Sequence, residues 1–229
     1  MCYTALVTSL RTARARAGLT QLQVASRLGV TQAYLSMLEQ GLRLPSPALA
    51  RRLARALGLS PVSLPLQAVG VLGATALARG LAGLGYPGLA YLKPRQWLNP
   101  AVLLLGALEN PRLEGRLVEA LPWVPFRYSD LDWAWLLARA KQHDLQNRLG
   151  FVVRLAFELA TRRHSAEAAA KLEAVLQQLS RAKLAREDTL SEGSMTDAER
   201  RWLREHRPPA AAEWNLLSDL TSEQLLHVD

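Results

Sequence analysis

Apolar positions along the first sixty residues recur every three or four places, the spacing of one helical face. Leu6, Leu10, Ala13 and Ala17 predict a helix from about Tyr3 to Ala17, ended at Gly18, which can take positive φ. Leu22, Ala25 and Leu28 predict a second helix, opened by Thr20 with Gln23 three residues on, the spacing of a capping box. Gly29 makes the turn that follows. Thr31 caps a third helix over 31–40, closed by Gly41. Ser46-Pro47 opens a fourth, which carries Leu49, Leu53 and Leu57 and closes at Gly58. Ser60-Pro61 starts a fifth piece that Pro65 stops within about a turn.

The pattern changes after Pro65. An Ala- and Gly-rich helix is expected over 66–84, then a two-proline loop over 85–98. Asn99-Pro100 starts a helix to about Asn110. Further helices are expected over about 113–121, 129–144 (capped by Ser129), 146–163 and 166–186. Pro122 and Pro125 bracket a tryptophan-bearing turn. No segment alternates apolar and polar residues convincingly, so little or no sheet is expected. Residues 187–195 are polar and predict a linker. Thr196 with Glu199 predicts another capping box, opening a helix to about His206, and Thr221 with Gln224 a last capped turn. The expectation is an all-α protein with a five-helix domain over 1–64, a larger helical domain over 66–186, and a mobile linker and tail over 187–229.

About half of the 229 residues are apolar, enough for a packed core. The apolar stretch from Leu64 to Leu92 is interrupted by Arg79, two prolines and many glycines. It never reaches the run of roughly 18–20 residues that a membrane span needs, and no membrane is expected. The N-terminus lacks a basic segment followed by an apolar run, so no signal peptide is expected. The single cysteine, Cys2, fits a reducing compartment, and the expected location is cytoplasmic.

Charge redraws the picture once it is divided along the chain. Residues 1–60 hold eight arginines and one acid, Glu39, a net of +7. The whole chain is +8, which leaves +1 for residues 61–229. A basic face confined to one domain is the electrostatic footprint of phosphate binding; a solvated surface without a partner is the bland alternative.

Two helices joined by a short glycine turn, held between supporting helices, form a helix-turn-helix. Its second helix must stand proud to enter a major groove. Val30, Leu35 and Leu38 face inward, which turns Thr31, Gln32, Ala33, Tyr34, Ser36 and Met37 outward. Short polar, amide, methyl and aromatic groups of this kind suit base edges and phosphates.

Residues 4–64 resemble the lambda-repressor-like, XRE-type regulators. The resemblance rests on Thr20-Gln21, Ala25, Gly29-Val30, the run Ser36-x-x-Glu39-x-Gly41, and Leu53-x-x-x-Leu57-Gly58. It implies a phosphate contact from Gln21, base contacts from Gln32, Ala33 and Met37, a backbone contact from Tyr34, and phosphate contact near Arg43. It assigns Glu39 to holding the fold. Among these residues Gln32 is the preferred base reader, because an amide can bond adenine at two positions. The implied partner is double-stranded operator DNA. A homodimer is expected, because one helix-turn-helix reads too few base pairs for useful specificity.

In the second half, Asp130, Asp132, His143 and Asp144 are candidates for a catalytic site. Acids at a helix start and a histidine near its end are ordinary, however, and no nucleophile–base pair, phosphate loop or metal-ligand spacing accompanies them. No enzyme activity, metal or cofactor is expected. The Asp-Leu-Asp-Trp and Asn-Arg-Leu-Gly-Phe runs, within residues 97–163, resemble helical domains of helix-turn-helix antitoxins paired with nucleotidyltransferase-type toxins. That resemblance implies a toxin protein as partner, autorepression of a toxin–antitoxin operon, and exposed tryptophans as interface anchors. The alternatives are a ligand sensor whose pocket is lined by residues 66–84 and the tryptophans, or six tryptophans all in the core.

Overall fold

The computed structural model describes residues 10–66, 70–92, 97–190 and 195–225. These form two compact units. The first contains the described residues up to 66 together with Trp97–Asn99, and the second contains the remainder.

The first unit is built from α1 (described over 10–16), α2 (Gln21–Leu28), α3 (Gln32–Glu39) and α4 (Pro47–Ala56), followed by a 3-10 turn at Pro61–Ser63. Their apolar faces meet in one core of Leu10, Val24, Ala25, Leu28, Leu35, Leu38, Leu49, Ala50, Leu53 and Leu57. The capping expectations hold. The side chain of Ser46 accepts from the Leu49 N–H and opens α4, with Pro47 in its first turn. Gly18 and Gly58 follow α1 and α4 with φ of +64° and +62°. Ala17, expected on the buried face of the first helix, lies in the turn and is exposed; Tyr3 and Leu6 lie outside the described residues. Asn99 donates to the carbonyls of Val62 (2.8 Å) and Leu64 (2.7 Å), which ties 97–99 to the end of this unit.

The second unit contains α5 (Ala74–Leu84), α6 (Pro100–Leu108), α7 (Gly115–Ala120), α8 (Trp123–Arg127), α9 (Trp133–Gln142), α10 (Gln146–Arg162), α11 (Ala166–Ser180), β1 (Asp188–Thr189), α12 (Asp197–His206), α13 (Pro209–Glu213) and β2 (Leu216–Leu217). Every residue of α6 is buried. The longest helix, α10, packs against α8, α9, α11 and α13. The all-α expectation holds: among the described residues, the strands are two residues each, paired in parallel through Asp188–Leu216 and Thr189–Leu217.

Several boundaries differ from expectation for identifiable reasons. The helix expected from residue 66 begins only at Ala74. Leu72 gives its N–H to the Gly106 carbonyl and accepts from the Asn110 amide, so it is held in extended chain beside α6. The helix expected from Ser129 begins at Trp133, because Asp132 is the residue whose side chain accepts from the Trp135 N–H, at 3.0 Å. The proline-bracketed turn at 122–125 is the helix α8, whose first turn has no need of the N–H that Pro125 lacks. The helix expected to reach residue 186 stops at Ser180. The buried Asn147 side chain then bonds Leu184 and Arg186 and holds 184–186 as irregular chain.

The expected mobile tail is a packed element. Trp214 is fully buried, with Ala211, Leu216 and Leu217 beside it in the core. A β-carbon on Gly150 of α10 would collide with the Trp214 indole, so this glycine is the notch that admits the ring. Arg148 clasps Asp188 with two 2.8 Å hydrogen bonds, and Arg154 meets Glu213 at 2.7 Å. Residues 187–190 therefore belong to the fold; 191–194 lie outside the described residues.

Candidate nucleic-acid interface

The first unit presents α3 through a turn whose bonds can be followed singly. Thr20 opens α2: its hydroxyl accepts from the Gln23 N–H (3.2 Å), and its own N–H donates to Gln23 Oε1 (2.8 Å). The helix ends on Gly29 at φ +61°, and the Val30 N–H closes back onto the Ala25 carbonyl. A β-carbon at Gly29 would touch nothing, so the glycine is required by the left-handed backbone and not by lack of space. Thr31 then caps α3, accepting from the Tyr34 N–H at 3.1 Å. A cap of this kind contributes about 1 kcal/mol to the helix it starts.

Leu35 and Leu38 fix the inner side of α3 in the core. Thr31, Gln32 and Ala33 are exposed, at the N-terminal end of the helix. Ser36 and Met37 are half-buried one turn on, and the Ser36 hydroxyl accepts from Gln40. Tyr34 is half-buried and packs against the core. Beyond the helix, Leu42 and Arg43 both give their backbone N–H to the Met37 carbonyl, at 2.9 and 3.3 Å. This clamps the loop to the last turn of α3 and leaves the Arg43 side chain exposed.

The remaining predicted residue, Gln21, stands at the start of α2. Its amide donates to Glu39 Oε2 at 2.9 Å. Arg14 approaches the same carboxylate with two nitrogens, and its third gives a 2.9 Å bond to the Leu19 carbonyl. One acid thus joins α1, α2 and the end of α3. Its side chain is only 3% exposed. Burial pushes the carboxyl up, but the hydrogen bonds from Arg14 and Gln21 and the charges of Arg14 and Arg11 outweigh it and hold the group below its usual value. The reading of Glu39 as a fold-holding residue gains its physical content here.

The sequence reading missed Arg14 as the partner of Glu39, and Arg52, which gives 2.7 Å to the Leu28 carbonyl at the end of α2. The signal for the first was available: a lone acid among eight arginines needs a partner wherever it is buried. Neutralising one arginine locally leaves seven without an acid in residues 1–60.

Residues 10–64 match the helix-turn-helix family model. An uncharacterised HTH-type transcriptional regulator of Methanothermobacter thermautotrophicus is 49% identical over 51 residues, 22% of this chain and 74% of that protein. The chain belongs to the helix-turn-helix family. No solved structure matches it significantly. The helix-turn-helix pair of the family is α2 and α3, and the family match ends before the second unit begins.

The acidic candidates of that second unit are not brought together. Asp132 caps α9, His143 Nδ1 lies 3.3 Å from Glu109, and Asp144 faces Arg186 at 3.4 Å on the surface. No group of three or more potential metal ligands occurs among the described residues, and no helix there is long and apolar enough to cross a membrane. The tryptophans divide: Trp123 and Trp214 are core, Trp97, Trp133 and Trp135 are half-buried, and Trp202 is 53% exposed.

Proposed function

We propose that the protein is a sequence-specific DNA-binding transcriptional repressor that lays α3 in a major groove. The observation that carries this reading is the family helix-turn-helix whose α3 exposes Thr31, Gln32 and Ala33 in a region of net +7. In this reading Gln32 is the chief base reader, with Ala33 and Met37 against neighbouring bases. Thr31, Tyr34, Ser36 and Arg43 meet the backbone, and Gln21 offers its second amide N–H to a phosphate. Selection from a random duplex library with the full chain tests it. An enriched motif is expected. Equal retention of all sequences would overturn base reading, and no retention at low salt would overturn DNA binding itself.

The protein acts in this proposal as a cytoplasmic homodimer on paired half-sites. Light scattering on the operator complex should give two chains per duplex, and one chain would overturn it. For the second unit the proposed partner is a toxin protein, making the chain an antitoxin that represses its own operon. The exposed Trp202 and half-buried Trp133 and Trp135 support a protein-binding surface. Co-purification of one stoichiometric protein from the native host is the expected result. A second reading, a ligand-sensing regulator, is favoured by a cavity in the same unit, which is bordered by Trp202 but not lined by residues 66–84 as expected.

A further inference from the structure

A cavity of about 330 Å³ opens where α7, α12 and the chain after β2 meet. Its floor is apolar, formed by Leu190, Leu203, Leu217 and Leu220, all buried. The two-residue strand pair sets that floor, because Leu190 directly follows β1 and Leu217 lies in β2. The upper wall is different in kind. Trp202 borders the opening while more than half exposed. One face of its indole is stacked on His206 at 4.6 Å between ring centres, which leaves the opposite face uncovered by that ring.

Three carboxylates, Glu119, Glu199 and Asp219, also line the cavity, and none of its described lining residues is basic. Glu199 keeps its place because both the N–H and the hydroxyl of Thr196 donate to it. Those donors hold its carboxyl below the usual value, so it stays ionised.

An apolar floor, an indole face and fixed negative charge are together the recognition set for an amphipathic organic cation. Its hydrocarbon body would leave water for the leucines, and its ammonium would meet the carboxylates and the indole. We propose that this cavity binds a small organic amine that carries an apolar group. The proposal rests on the ligand-sensing reading and deepens it by naming the site and the ligand class. A volume of this size lies at the lower end of small-molecule pockets and suits a compact ligand.

The test is calorimetric titration of the full chain with three probes of one size: 2-phenylethylamine, 2-phenylethanol and 3-phenylpropanoate. The amine should bind at least about tenfold more tightly than the alcohol, and the acid should not bind. In the double variant Glu119→Gln with Asp219→Asn, amine affinity should fall by about tenfold while the alcohol is unaffected. Trp202→Leu should weaken the amine and leave the circular dichroism unchanged. Equal binding of amine and alcohol, or a double variant that retains full amine affinity, would overturn the cationic assignment and leave the ligand-sensing reading standing. Failure of all three probes at millimolar concentration would remove the cavity from both.

Discussion

Arg14 and Glu39, twenty-five residues apart, are joined by two hydrogen bonds of 2.6 and 3.0 Å in the interior of the helix-turn-helix unit. The pair is largely buried, at 16% and 3% side-chain exposure. Removing one partner strands the other charge away from water, which costs far more than the intact pair contributes. Glu39→Ala and Arg14→Ala should therefore each destabilise the unit by about 3 kcal/mol or more. The double variant Arg14→Leu with Glu39→Leu should cost clearly less than the two single losses added. Hydrogen exchange of the α3 amides in the full chain reads this directly. Equal costs for the double and the summed singles would mean that the two side chains act independently.

The same carboxyl sets a pH dependence. Its value in the folded protein lies below the ordinary one. The stabilisation is thus fully present above the unfolded value of about 4.3, and it is lost as pH falls through the lower folded value. The stability difference between wild type and Glu39→Gln should be constant near neutrality and shrink below about pH 4.3. Exchange protection of α3 measured from pH 7 to 3 checks this, and a difference that grew on acidification would contradict it.

What could be read in the sequence was what short-range chemistry determines. Thr20 with Gln23, Thr31, Ser46-Pro47 and Thr196 with Glu199 act within one turn, and each cap stands where the spacing put it. Three residues misled through distant partners. Leu72 is drawn into extended chain by Gly106 and Asn110, more than thirty residues away. Asn147 ends one helix early by capturing the chain at 184–186. Trp214, in a stretch that read as a mobile tail, finds a notch that Gly150 leaves open. The exposed face of α3 could be read because Leu35 and Leu38 define the opposite side; that the lone acid Glu39 needs an arginine partner could be read as well, but not that Arg14 supplies it, since no periodicity links α1 to α3.

That notch gives a prediction for the second unit. Gly150→Ala places a methyl group where the Trp214 ring lies, an overpacking that costs about 1–3 kcal/mol. Trp214→Ala empties the site and should cost about 3–5 kcal/mol. In both variants the chain from 195 to 225 should become cleavable by limited proteolysis, while α2 and α3 keep their exchange protection. The double variant should be less destabilised than Trp214→Ala with the Gly150→Ala loss added. If the segment stayed resistant in both single variants, Trp214 would not be what holds it.

Gln32 and Arg43 separate base reading from phosphate attraction, because one lies in the first turn of α3 and the other in the loop clamped to its end. Gln32→Ala should relax preference at one operator position, at a cost of about 1–3 kcal/mol on the selected sequence and almost none on random DNA. Arg43→Ala should weaken selected and random duplexes alike. It should also lower the slope of log affinity against log salt by about one unit, the signature of one lost phosphate contact. Fluorescence anisotropy across a salt series, on the selected motif and on a scrambled one, measures both effects in one experiment. A Gln32→Ala variant that lost affinity equally for both duplexes would assign that side chain to the backbone, and an unchanged slope for Arg43→Ala would remove the loop from the interface.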